Sequence, residues 1–436
     1  MLQLAAPLAL AELGWMSMGI IDTIMAGPLG AAAVGAGILG NMVYYPITGT
    51  GIGVLLGMDT LVSQAFGAGD RTDARRSLIA GVWLGLALAL PLAVTILAVI
   101  PLMRAAGAIP EVMTQCAPYM KALLWGIPPL LLFTAMRRYL QAVNIVKPIT
   151  FALVTANLTN LLGNWALMYG HLGFRAMGLA GSGWSTSICR VYMFAVLLAA
   201  LLWHERKAGN LLFHISWRPK LDRIRGLLSL GMPAAGQIAF EGAVFGIVTV
   251  MASKLDAVSL AAHGIAVQVI ATTYMVPLGI SSAAAVRVGQ AIGRKDPRGA
   301  SAAGWAALAI GAGFMAVAGV ALWLVPGWIV RIFIRDAAVV GAGSVLLRIA
   351  AFFELFDGIQ TVATGALRGL GDTRAPMLAH LIFYWLIGMP VAWLLCFHFG
   401  WGAPGIWIGL SAALILIGAT LLAVWRIRQK DQSTLV

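Results

Sequence analysis

The chain has 436 residues, of which 61% are hydrophobic and 10% are charged, and its mean hydropathy is +0.91. These values exclude a chain that folds in water, because soluble domains carry roughly 25% charged residues. The formal net charge of +13 could indicate a nucleic-acid partner. Such a partner requires a basic face on a soluble fold, so we expect no nucleic acid.

Apolar segments of helix-forming length recur along the whole chain, with short polar breaks between them. A helix needs about 20 apolar residues to cross a hydrocarbon core of about 30 Å. The sequence predicts twelve spans, over residues 3–26, 31–66, 77–101, 118–140, 149–169, 178–203, 227–252, 257–291, 303–326, 344–367, 376–398 and 404–425. The second and eighth are too long for one straight crossing, and we expect tilted, kinked or protruding helices there, near Pro46 and Pro277.

Lysine and arginine residues fall mainly in alternate loops, 20 in one set and five in the other. The larger set lies within residues 71–76, 137–147, 206–225, 294–298, 368–374 and 426–430. The positive-inside rule places this set and both termini in the cytoplasm. The first span lacks a basic start and contains Glu12 and Asp22, so we interpret it as a retained helix and not a cleaved signal peptide. We expect a multi-pass protein of the plasma membrane, which is the inner membrane in a bacterium.

The chain contains an internal repeat. A shift of 226 residues lays Pro7 on Pro233 and QAFGAGD on QAIGRKD without a gap, and a shift of 228 lays Trp165 on Trp393. The sequence therefore predicts an all-α membrane protein with twelve transmembrane helices in two six-helix lobes, related by a pseudo-two-fold axis along the membrane normal. The lobes are residues 1–203 and 227–436, joined by a cytoplasmic linker at 204–226. A cavity between the lobes is expected.

Two acids stand near the middle of predicted spans of the second lobe. Glu241 and Asp357 each lie about fourteen residues into their span. A charge at this depth costs roughly 2.5–3.5 kcal/mol, so such groups usually face a wet cavity or a partner. Two neighbouring carboxylates cannot both stay ionised in a low dielectric without a cation between them, so the pair would form a proton or Na⁺ site. The alternative is that Glu241 is a lone acid that a hydrogen bond holds in the packing.

Five further residues belong to the candidate binding set besides Asp22 and the two acids. Glu354 lies three residues before Asp357 on one helix face, and Phe353 and Gln237 neighbour the two acids in sequence. In the first lobe, Asn160 and Asn164 are one turn apart and could face Asp22. The two asparagines could equally serve as hydrogen bonds between helices. The remaining intramembrane acids are Asp59 and Glu12.

Enzyme motifs are weak or missing. The segments GAGD (67–70) and GLGD (369–372) fit a pattern of intramembrane aspartyl proteases, but both lie in arginine-bearing loops and are simpler as turns. The sequence contains no HExxH, nucleophile elbow or Walker A motif. Its three cysteines have no metal-ligand spacing. We therefore expect no enzyme and no cofactor other than a coupling ion.

Several segments together carry a family resemblance. PAAGQIAFE, IIDTIMAG, QAFGAGD, QAIGRKD and DGIQTVATGALRGLGDTRAP occur in the order and spacing typical of one transporter family. In these segments the chain resembles the multidrug and toxin extrusion (MATE) family, NorM-type branch, over essentially its whole length.

The resemblance implies a monomeric antiporter that exports organic cations and amphiphilic drugs in exchange for Na⁺ or H⁺. By this resemblance Glu241 and Asp357 belong to the cation site, with Na⁺ as a possible metal ion. Asp22 and the polar pair Asn160 and Asn164 also correspond to family positions.

The chain departs from the branch at two positions and leaves one alternative function open. Phe353 stands where NorM-like proteins carry a tyrosine, which removes a possible hydroxyl ligand and leaves the choice of Na⁺ or H⁺ open. Asp59 resembles the eukaryotic members more than the NorM-like ones. The alternative is a flippase for lipid-linked oligosaccharides on the same duplicated fold, which would line its cavity with arginines to hold a pyrophosphate.

Overall fold

A computed structural model describes residues 1–105, 107, 109–207, 209 and 215–434. Within these residues the chain is helical and contains no strand. The helices are α1 (Leu2–Ala26), α2 (Ala31–Leu55), α3 (Gly57–Gly67), α4 (Arg71–Ala105), α5 (Pro110–Leu124), α6 (Ile127–Ala142), α7 (Lys147–Tyr169), α8 (Leu179–Lys207), α9 (Leu221–Ser253), α10 (Ala257–Gly293), α11 (Pro297–Leu324), α12 (Pro326–Arg331), α13 (Ala337–Leu370), α14 (Arg374–Ile382), α15 (Met389–Trp393) and α16 (Gly402–Thr434). Two π-helical stretches, Phe383–Gly388 and Leu394–His398, make the segment from α14 through α15 continuous.

Each of the twelve predicted spans coincides with a helical segment of the described chain. Nine helical segments in the described residues are long and apolar enough to cross a membrane, and the pair α5 and α6, bent by 47°, counts as a tenth. The remaining two predicted spans correspond to α2 with α3 and to α7. The prediction of an all-α, twelve-helix membrane fold is confirmed.

The second span breaks at a different place from the one predicted. Helix α2 runs through Pro46 and ends at Leu55, and α3 begins at Gly57. Glycines bracket this break where α9 packs against it, and a methyl group on Gly53 would lie 2.6 Å from the Cα of Ala235. The close approach of two backbones, and not the proline, thus marks the interruption. Helix α10 continues through Pro277 without a break.

The chain forms two compact units, residues 10–235 and residues 1–9 with 236–436. We call them the first unit and the second unit. Their boundaries lie inside α1 and α9, whereas the predicted lobes of 1–203 and 227–436 follow the sequence repeat and stay a prediction. Residues 208 and 210–214 of the predicted linker lie outside the described part of the chain.

The first unit contains buried ion pairs between distant helices. Arg75 Nε of α4 lies 2.9 Å from Glu205 Oε2 of α8, and both side chains are buried. Arg137 of α6 pairs with Glu12 of α1, and Arg138 Nη1 lies 3.5 Å from Asp59 Oδ2. The prediction that the arginines of 71–76 and 137–147 are loop residues is therefore wrong for these three. Helices α4 and α6 extend past their apolar runs, so terminal arginines lie inside the helix bundle and need acidic partners.

Loss of the Arg75 guanidinium takes away the buried cation that offsets the charge of the Glu205 carboxylate. We expect Arg75→Gln to lower the free energy of unfolding by about 3–5 kcal/mol. The measurement is thermal unfolding of the purified protein in detergent. The matched control is Arg428→Gln, which removes an Arg428–Asp372 pair of 3.0 Å whose arginine side chain is 54% exposed, and which should cost about 0–1 kcal/mol. Equal shifts of the unfolding temperature in the two variants would contradict the prediction that breaking the buried ion pair costs more than breaking the exposed one.

Candidate functional site

A cavity of about 220 Å³ lies within the second unit. Helices α9, α10, α13 and α16 supply its walls, and among the described lining residues Glu241 and Asp357 are the charged ones. The other lining residues are apolar or aromatic and include Tyr274, Phe353 and Trp407. The structure thus brings together the two acids that stand near the middle of α9 and α13.

Glu241 faces a histidine on α14. Its Oε2 lies 3.9 Å from Nε2 of His380, and its side chain is 20% exposed whereas that of His380 is fully buried. His380 Nδ1 lies 2.8 Å from the carbonyl oxygen of Pro376, so Nδ1 carries the proton of the neutral ring and Nε2 is the acceptor. Gln237 donates its amide to that Nε2 at 3.4 Å. Two acceptors, the Glu241 carboxylate and His380 Nε2, therefore face each other, which favours a proton between them.

Asp357 and Glu354 share α13 but have different surroundings. Gln360 Nε2 donates to Asp357 Oδ1 at 2.9 Å. Glu354 does not line the cavity. Its Oε1 accepts from Thr273 Oγ1 at 3.0 Å, and its Oε2 is buried without a hydrogen-bond partner. Glu354 is thus placed between α13 and α10, one turn from the cavity.

Phe353 and Trp407 form an aromatic wall of the cavity. Their rings are stacked, with centroids 6.1 Å apart. Trp407 Nε1 donates to Nδ1 of His263 at 3.2 Å, and His263 Nε2 lies 3.1 Å from Thr249 Oγ1. Because the Thr249 hydroxyl donates to the carbonyl oxygen of Phe245 at 2.9 Å, its oxygen accepts from the histidine. His263 is therefore the neutral Nε2–H tautomer, with both nitrogens engaged in holding Trp407 and Thr249.

A histidine within an apolar span, such as His263 or His380, is by default expected to be a hydrogen-bonded packing residue, and the sequence pattern does not single out Trp407 or Tyr274. The chemistry of the side chains is the one signal that could have pointed to these residues. A histidine or an indole N–H inside a membrane needs a hydrogen-bond partner. Trp407, which donates to His263, lies 144 residues away in the chain. Helical periodicity does not predict a contact over this separation.

A second acidic cluster lies in the first unit. Asp22 Oδ1 accepts from Asn160 Nδ2 at 3.0 Å and from Asn164 Nδ2 at 2.7 Å, and Thr186 Oγ1 donates to Oδ2 at 3.2 Å. All four side chains are buried. Asp22 also borders a small cavity with Asn41 and Tyr119. Amide and hydroxyl donors thus stabilise this carboxylate, whereas Glu241 has a histidine acceptor opposite.

In residues 1–105, 107, 109–207, 209 and 215–434, no three His, Cys, Asp or Glu side chains form a group that could hold a metal ion. Glu241 and Asp357 are the acids of the cavity, and Phe353 adds no oxygen to them. The described site supplies few oxygen ligands for a hard cation.

Comparison with known proteins shows a family over nearly the whole chain. A family model described as MatE matches residues 7–166 and again residues 233–394. The two matches begin 226 residues apart and end 228 apart, the same two shifts that align the halves of the sequence. The duplication found in the sequence is therefore also present in the family match.

Relatives named "Probable multidrug resistance protein NorM" cover most of the chain. One from Mesorhizobium japonicum is 37% identical over 98% of this chain and 93% of its own length. One from Pseudomonas aeruginosa is 35% identical over 98% of this chain and 88% of its own length.

Solved structures share the fold at lower sequence identity. The eukaryotic MATE transporter AtDTX14 has a TM-score of 0.86 and 18% identity, and the match covers 99% of this chain and 97% of that chain. A MOP superfamily transporter from Pyrococcus furiosus has a TM-score of 0.88 and 17% identity, and the match covers 99% of this chain and 96% of that chain. The chain belongs to the MatE family and is a membrane transporter, not an enzyme.

Proposed function

We propose that this protein is a secondary multidrug antiporter, which exports cationic and amphiphilic compounds in exchange for H⁺. The observation that carries the proposal is the pair of carboxylates, Glu241 and Asp357, in one apolar and aromatic cavity of a membrane-spanning unit. The names of the bacterial relatives support multidrug resistance as the process.

Electrostatics couples the two ligands. A carboxylate in a low-dielectric cavity must be neutralised, either by a bound proton or by a cation. An organic cation that binds at Glu241 and Asp357 therefore displaces protons, and protons displace the organic cation. Tyr274, Phe353 and Trp407 attract the cation through their ring faces and its apolar body through contact area. Each ligand thus lowers the affinity for the other, as antiport requires.

The geometry favours H⁺ over Na⁺ as the coupling ion. Glu241 faces the acceptor nitrogen of His380 at 3.9 Å, and a proton on either group converts a repulsive contact into an attractive one. Na⁺ requires several oxygen ligands, and Phe353 replaces a hydroxyl that could have supplied one.

The flippase alternative fits the cavity poorly. A pyrophosphate needs cationic groups, whereas the charged residues that line this cavity are the two acids. We infer the orientation from charge, with both termini in the cytoplasm and the protein in the plasma membrane, the inner membrane of a bacterium. We also propose that the monomer is the functional unit and that it needs no cofactor.

Neutral isosteres at the two cavity acids test the proposal. We expect Glu241→Gln and Asp357→Asn each to reduce ethidium efflux to the level of cells without the transporter, because no negative charge then attracts the cation. Efflux is measured in cells that express equal amounts of membrane-inserted protein. Glu354→Gln is the matched control, because Glu354 lies on α13 with Asp357 but does not line the cavity. This variant should keep most of the activity. Wild-type efflux in a variant that lacks both cavity acids would refute the proposal.

Imposed gradients distinguish the coupling ions. In inverted vesicles we expect a proton gradient to drive ethidium accumulation and a sodium gradient alone to drive none. For the purified protein, exchange of one proton for one cation should weaken ethidium binding by about tenfold for each unit of falling pH in the range where the site takes up the proton. Accumulation on a sodium gradient at constant pH would assign the site to Na⁺ instead.

The hydrogen bond from Trp407 to His263 predicts an effect on selectivity. We expect His263→Ala to weaken binding of the flat aromatic cation ethidium more than binding of tetraethylammonium, because the indole loses a bond worth about 1 kcal/mol and no longer holds its ring in place. Dissociation constants of both compounds are compared by titration. Trp407→Phe is the companion variant that keeps a ring in the wall but removes the donor. An equal loss for both cations in His263→Ala would show that the histidine acts on packing alone.

A further inference from the structure

A basic pocket lies in the first unit, apart from both acidic clusters. It forms where the start of α4 meets the segment that leads into α9, and its charged lining residues are Arg76, Arg218, Lys220 and Arg223. Arg76, Arg218 and Lys220 are exposed. Asp73 offsets the charge of Arg223, since its Oδ2 lies 2.9 Å from Arg223 Nη1. Four cations against one acid leave the pocket with a strong positive charge, suited to an anion such as a phosphate group.

The segment that supplies Arg218 and Lys220 is tied to α4. Trp83 Nε1 donates to the carbonyl oxygen of Trp217 at 2.7 Å. Both indoles are 42% exposed. Exposed tryptophans beside basic residues are typical of the depth at which lipid headgroups lie. The hydrogen bond thus holds the segment against α4, and the two exposed indoles favour a position of the pocket near the membrane surface.

An exposed apolar stripe on α4 continues from the pocket. Residues 76, 80, 83, 87, 90, 94 and 97 follow the alternating three- and four-residue spacing of one helix face. Ala80 is buried and lines the pocket, and the exposed apolar residues of this face begin at Trp83. On this face Leu90 is 71% exposed, Val94 54% and Leu97 43%. The stripe therefore begins at a cationic end and continues as an apolar surface that is long enough for an acyl chain.

We propose that this pocket and stripe bind one anionic phospholipid, with its phosphate between Arg76, Arg218 and Lys220 and an acyl chain along Leu90 and Val94. Charge complementarity selects an anionic headgroup over a zwitterionic one, because each basic residue near a membrane surface contributes about 1 kcal/mol to anionic lipid binding. The continuous apolar stripe selects a lipid over a free phosphate. This site is independent of the cation cavity, which lies in the other unit.

The second half of the chain offers a matched control. Under the 226-residue shift Arg76 corresponds to Ala302, so the repeat does not reproduce the pocket. Arg294 directly follows α10 and Arg298 lies in the first turn of α11, and both are exposed. A variant with both residues replaced loses the same two charges as a pocket variant, but not from the pocket.

The experiment is native mass spectrometry of the detergent-purified protein, titrated with phosphatidylglycerol, phosphatidylcholine or sn-glycerol 3-phosphate. The wild type should bind one phosphatidylglycerol in preference to phosphatidylcholine, and chain-free glycerol phosphate should not displace it. Arg76→Gln with Arg218→Gln should weaken phosphatidylglycerol binding by about 30-fold, or about fivefold for each charge. Arg294→Gln with Arg298→Gln should leave binding unchanged.

Three results would overturn the proposal. Equal binding of the two lipids would indicate an unselective lipid layer, and displacement by glycerol phosphate would indicate a site for free anions. Equal losses in the pocket and control variants would indicate a general effect of net charge. If the double pocket variant does not fold, Arg218→Gln alone replaces it, since Arg218 lies outside the helices, and it should show the fivefold loss.

Discussion

A carboxylate inside a membrane protein needs compensation, and the way each acid meets this need organises the whole structure. In the first unit Glu12, Asp59 and Glu205 pair with arginines, and Asp22 accepts from two asparagines and a threonine. In the second unit Glu241 and Asp357 share a cavity, and no Lys or Arg is among the described residues that line it. A compensating charge from outside the protein would neutralise these acids, and this is the physical basis on which we propose the cavity as the transport site.

Much of the fold follows from the sequence because hydrocarbon imposes one rule on every span. Each segment must be apolar, about 20 residues long and helical. All twelve spans can therefore be recognised in one amino-acid sequence without an alignment. The end of α2 at Leu55 was not predictable in this way. It depends on the packing of Gly53 against Ala235, a contact between distant segments that local composition does not report.

The candidate site shows the same division between local and distant information. Depth along a span singled out Glu241 and Asp357, and a one-turn spacing singled out Asn160 and Asn164. The surroundings that give these residues their chemistry come from elsewhere in the chain. His380 reaches Glu241 from α14, and Arg75 meets Glu205 across 130 residues. The sequence thus identified which groups are costly to bury. The fold is needed to show which residue contacts each of these groups.

Under the proposed exchange for H⁺, the presence of two acids in one cavity has a consequence for how transport responds to the membrane potential. A monovalent drug that releases one proton moves no net charge across the membrane, and the cycle is then electroneutral. A monovalent drug that releases two protons makes the exchange electrogenic, and each uncompensated charge adds about 2.3 kcal/mol of driving force per 100 mV. A doubly charged drug that releases two protons restores neutrality. In the proposed mechanism, the valence of the exported compound thus decides whether the membrane potential contributes to its export through Glu241 and Asp357.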